Sequence, residues 1–115
     1  MLSFTEGASA SLPDLGPLRL AECGEHTVAA GWSTWGRPAY RTPHHSAYHI
    51  LAGGCSLEFA GRETSLRPGA LHIIPGNQLL RRRTEGMRHR WLNFNAESLS
   101  VDLQLGRLDR VLSFP

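Results

Sequence analysis

Apolar and polar positions alternate in short runs along this chain, and Gly or Pro-Gly breaks cut the runs to strand length. Leu18-Arg19-Leu20-Ala21-Glu22-Cys23 alternates and predicts a first strand. Gly24-Glu25 then predicts a turn, and Thr27-Val28-Ala29-Ala30-Gly31-Trp32 its hairpin partner. Gly36, Pro38 and Pro43 make 33–45 a loop or irregular crossing. Strands follow at 46–52, 55–60, 63–67 and 70–75, with Ala60-Gly61-Arg62-Glu63 as a tight hairpin turn. Residues 78–84 and 88–95 read as a further pair around Glu85-Gly86. Ser100-Val101-Asp102-Leu103-Gln104-Leu105 alternates and predicts another strand, broken by Gly106, before a short closing element at Leu108–Phe114. Residues 1–17, rich in Ser, Gly, Pro and Ala, read as a flexible N-terminal arm. About ten short strands without a helix predict an all-β sandwich or barrel.

At 115 residues the chain suits one domain. Its hydrophobic share of 41% and charged share of 19% are those of a globular protein. No apolar run approaches the roughly 20 residues that cross a bilayer. Met1-Leu2-Ser3-Phe4-Thr5-Glu6 lacks the basic start of a signal peptide, so a cytoplasmic protein without a membrane partner is expected. Cys23 and Cys55 read as ordinary thiols. All 12 basic residues are arginine, yet the net charge of +2 is too small for broad nucleic-acid binding. In a strand Arg81, Arg82 and Arg83 alternate between faces. Arg81 and Arg83 fit a solvated edge strand; Arg82 either joins them or faces a ligand inside the fold.

Three pieces in order narrow the picture: Ile50-Leu51-Ala52-Gly53, Leu66-Arg67-Pro68-Gly69-Ala70-Leu71-His72-Ile73-Ile74-Pro75-Gly76 and Arg90-Trp91-Leu92-Asn93-Phe94. Together they resemble the cupin barrel, and more narrowly the N-terminal effector-binding domain of AraC-family bacterial transcription regulators, over roughly residues 40–105. The resemblance implies a cupin-like antiparallel double-stranded β-barrel (jelly roll) over 18–115, serving ligand binding and dimerisation behind the arm 1–17. It implies a small, sugar-like effector, a homodimer, and action on DNA only through a separate C-terminal helix-turn-helix domain. Two departures stand out. Ala70 replaces the acid usual after the Pro-Gly turn, and one residue fewer separates Gly69 from Gly76, leaving two registers open for 77–84.

Metal-dependent cupins use paired histidines, a glutamate and a later histidine. On the family pattern the glutamate falls on Ser46, the paired histidines near Ala39 to Thr42, and the last ligand on Leu80 or Leu79. No cofactor, no metal and no enzymatic activity are therefore expected. The alternative is a stand-alone small cupin enzyme with a non-standard metal site drawn from His44, His49, His72 and His89. Adjacent His44 and His45 point to opposite faces of a strand and cannot chelate together. No Gly-x-Ser-x-Gly elbow or phosphate-binding glycine loop is present.

A ligand pocket remains. His89, Trp91 and Asn93 share one face of a strand, while Leu92 and Phe94 share the other with Arg88 and Arg90. In sugar-sensing members of the resembled family the positions matching His89 and Trp91 face the ligand. An indole stacks on the apolar face of a sugar, and imidazole and amide fix hydroxyls. Core packing for Trp91, and a plain hydrogen-bonded role for His89, stand beside that reading. Tyr48, in phase with Ile50 and Ala52, either reaches the ligand or packs. His72 is read as the polar member of a half-exposed strand or as a pocket residue. Trp32 and Trp35 either cover a ligand or stitch the arm to the barrel.

Overall fold

A computed structural model describes residues 14–33, 40–76 and 79–115. Among these residues, nine strands and one helix follow each other as β1 (Leu18–Val28), β2 (Tyr40–Arg41), β3 (His45–Gly53), β4 (Cys55–Phe59), β5 (Arg62–Leu66), β6 (Leu71–Ile74), β7 (Leu79–Arg83), β8 (Met87–Ala96), α1 (Leu99–Gly106) and β9 (Leu112–Phe114). Every strand pairing is antiparallel. The strands form two open sheets, one ordered β1-β8-β3-β6-β9 and the other β2-β7-β4-β5. Among the described residues the fold is all-β with one short helix.

Alternation along the strands produces two cores. Tyr48, Ile50, Ile74 and Met87 from the larger sheet meet Cys55, Leu57, Phe59, Leu66 and Leu80 from the smaller one. On the outer face of the larger sheet, Ile73, Phe94, Leu112 and Phe114 are covered by Leu105 of α1 and by Leu15. The larger sheet is thus apolar on both faces, which is what a sheet in the middle layer requires.

Several expectations hold. The strands expected from 46 to 75 match β3 to β6, and the turn at Ala60-Gly61 closes the β4–β5 hairpin with both residues at positive φ, 50° and 78°. The closing element forms β9. Residues 1–13 of the expected arm lie outside the described residues; at its end, Pro17 O accepts from Glu97 N–H at 3.0 Å.

Three expectations are corrected. Leu18–Trp32 is no hairpin: β1 runs straight through Gly24 and pairs with β8 from Leu18 to Val28. Gly24 lies under the indole of Trp91, where an added Cβ would stand 3.1 Å from Cζ2. The glycine is therefore there to accept a ring, not to turn the chain. Next, β7 and β8 do not pair; they belong to different sheets. Thr84 makes the crossing, donating Oγ1–H to Gly54 O and accepting Gly86 N–H. Its partner crossing, at Gly53-Gly54, has Gly53 at φ 73° with its backbone against the Gly86 carbonyl. Finally, residues 99–106 form a helix. Ser98 caps it by accepting Val101 N–H, and Val101 and Leu105, four residues apart, turn the same side to the sheet.

The arginine trio is also placed. Arg81 and Arg83 point away from the inter-sheet core and meet Glu58 at 3.6 Å and Glu63 at 2.9 Å. They do not lie on a bare edge, since β2 pairs with Leu79–Leu80 and Ser33 bridges to Arg83. Leu80 and Arg82 face inward, which resolves the register left open between 77 and 84. Both cysteines are free thiols, Cys23 exposed and Cys55 buried. Among the described residues no helix is long and apolar enough to cross a membrane.

Candidate ligand-binding cavity

Between the sheets lies a cavity of about 580 Å³, in the size range of small-molecule sites. It follows from strand register. On β8 the inward positions are Met87, His89, Trp91 and Asn93. On β3, Ser46 stands opposite Asn93, Tyr48 opposite Trp91, and Ile50 opposite His89. On the other side of β8, β1 sets Gly24 against Trp91 and His26 against His89. The smaller sheet contributes Cys55, Leu80 and Arg82. All five expected site residues, His89, Trp91, Asn93, Tyr48 and Arg82, line this one cavity.

Their contacts order them around Tyr48. The Tyr48 hydroxyl accepts a hydrogen bond from Arg82 Nη1, and its ring centroid lies 4.9 Å from that of His89. Arg82 also sits over the Trp32 ring, 5.2 Å from guanidinium carbon to centroid. Ser46 donates its hydroxyl to Asn93 Oδ1 at 2.8 Å, and Asn93 Nδ2 donates to Glu22 at 3.1 Å. The amide is thus held from both sides. The Trp91 indole rests on Gly24 and lines the cavity.

Burial decides the protonation states. It pushes the His89 imidazole below the ordinary 6.5, with the His26 backbone offsetting part of the effect, so the ring is neutral at pH 7. His89 is 5% exposed, and its Nδ1 has no hydrogen-bond partner among the described residues. Burial also pushes the Cys55 thiol up to about 11, which keeps it protonated and poorly nucleophilic.

His72, His44 and His45 work elsewhere. His72 is buried, not half-exposed: its Nδ1 meets Ser113 Oγ at 2.7 Å, and its Nε2 lies 3.2 Å from the Arg67 backbone. It ties β6 to β9 and to the loop before it. His44 and His45, although adjacent, reach one network on the outer side of the larger sheet. His44 Nδ1 meets Asn95 Oδ1 at 2.6 Å, and His45 Nε2 meets Asp102 Oδ1 at 2.9 Å. Among the described residues no group of three or more His, Cys, Asp or Glu is arranged to hold a metal ion.

Sequence reasoning missed Ser46 and His26 as wall residues. Ser46 entered only as the position of an absent metal ligand, and His26 was lost in the mistaken turn. Their signal is cross-strand register with Asn93 and His89, which a single sequence does not carry. Trp32 lines the cavity, which favours its covering role; Trp35 lies outside the described residues. Compared with known proteins, the chain matches no family model and no curated sequence.

Proposed function

We propose that this chain is the effector-sensing domain of an AraC-type bacterial transcription regulator, built on a cupin-like jelly roll. The observation that carries the reading is the convergence of His89, Trp91, Asn93, Tyr48 and Arg82 on one inter-sheet cavity. An indole backed by a glycine offers a flat apolar platform, and the imidazole, the braced amide and the phenol surround it with directional polar groups. That combination suits a small sugar-like molecule held without a metal. The protein is cytoplasmic and homodimeric, and it reaches DNA through a separate C-terminal helix-turn-helix domain. The effector acts by binding one state of the regulator more tightly than another.

A thermal-shift screen over sugars, sugar acids and small aromatics tests this reading. At least one class should raise the melting temperature, and Trp91→Ala should melt as a folded domain while losing that rise. Outright unfolding of Trp91→Ala would assign the indole to the core. Stoichiometric metal in the purified protein would favour the stand-alone enzyme instead.

A further inference from the structure

Formal charge is unevenly spread around the cavity. On β7, Arg81 and Arg83 face outward to Glu58 and Glu63, while Arg82 between them faces in. Among the described residues lining the cavity, none is an Asp or a Glu. Glu22 touches the Asn93 amide at 3.1 Å, but it is an exposed residue outside the lining. Tyr48 and Trp32 fix the guanidinium from two directions. Tyr48 is also the cross-strand neighbour of Trp91 and the ring neighbour of His89, so cation, platform and buried imidazole surround one side chain. His89 adds a buried ring nitrogen with no partner among the described residues. Such an atom costs stability until a ligand group meets it.

We propose that the cavity takes a ring-bearing carboxylate, with the carboxylate against Arg82, the ring on Trp91 and an oxygen substituent bonded to His89. A planar guanidinium matches a carboxylate in shape as well as charge, and partial burial strengthens the pairing over its value in water. The inference rests on the cavity being an effector site and narrows the chemistry of that effector. Sugar acids and aromatic acids share this chemistry.

Isothermal titration of matched pairs separates these sources and tests the proposal. D-galacturonate is compared with D-galactose, and salicylate with salicylamide. One carboxylate should bind about tenfold or more tightly than its neutral partner, as a charge-assisted pair implies. Which pair responds tells sugar acid from aromatic acid. Arg82→Gln should erase the preference, and Arg82→Lys should retain part of it. Should Arg82→Gln not fold, the Lys variant decides, since loss of the fork must weaken the preference. Equal binding of both partners, a preference that survives the Arg82 variants, or no carboxylate binding at all would overturn the proposal. Neutral binding that Trp91→Ala abolishes would overturn it while leaving the effector reading in place.

Discussion

Asp102 gathers more hydrogen bonds than any other carboxylate described above, and its removal should be costly in a graded way. Its Oδ1 accepts Ala96 N–H at 2.8 Å and His45 Nε2–H at 2.9 Å, and Asn95 Nδ2 reaches it at 3.3 Å. The tautomer is fixed because His45 Nδ1 accepts Gly76 N–H at 2.8 Å, leaving the proton on Nε2. Burial alone would raise the Asp102 carboxyl, but Ala96 N–H, His45 and Asn95 hold it below the ordinary carboxylate value. The His45 side chain is 4% exposed and that of Asp102 22%. Asp102→Ala therefore strands two buried donors. At about 1–3 kcal/mol each, reduced because water can enter beside a partly exposed position, the loss should be roughly 3 kcal/mol. Asp102→Asn keeps an oxygen for both donors but loses the charge and the Oδ2 acceptor of Asn95 Nδ2, costing about 1 kcal/mol. Urea unfolding followed by tryptophan fluorescence, with unchanged m-value, measures both. If the two variants fall within about 0.5 kcal/mol of each other, the helix does not depend on this clamp and the reasoning fails.

Acid should destabilise the domain early. Burial lowers the pKa of His45, His72 and His89 from 6.5, so the unfolded chain takes up protons that the folded one refuses. Stability should be level above pH 7 and fall as pH drops below 6.5, by up to about 1.4 kcal/mol per pH unit for each refused proton. Stability unchanged from pH 7 to 5 in denaturant titrations would contradict this. Gly53→Ala should cost about 3 kcal/mol or more, since it strains a φ of 73° and drives a methyl into the Gly86 carbonyl; a loss under about 1 kcal/mol would show that the crossing can yield. Ala60→Asn should raise stability by about 0.5–1 kcal/mol, because Asn-Gly suits a turn with positive φ at both positions. A lower urea midpoint for that variant would refute the turn argument.

The stretch from β3 to β6 was readable because its signals are local: a two-residue turn, a Pro-Gly break and strict alternation. The same alternation put His89, Trp91 and Asn93 on one face. What sequence could not show was pairing between distant segments. Gly24 resembles a turn residue until the indole 67 positions later is laid on it. Residues 84–86 resemble a hairpin loop until Gly53-Gly54 is seen crossing beside them. For α1, apolar residues at every second position read as a strand, and the deciding contact, Asp102 with His45, spans 57 positions.

β8 is a single layer of backbone with two audiences. His89, Trp91 and Asn93 look into the cavity, while Leu92 and Phe94, one peptide unit away, form part of the floor on which α1 stands. Side chains on opposite faces of a strand share the same rigid peptide planes. The cavity wall at the indole and the floor beneath the helix are therefore set by the same stretch of backbone. Asp102, bonded to the Ala96 amide at the end of this strand, pins the helix to it. The shape of the cavity inside the sandwich and the footing of the helix outside it are in this way both written into one strand.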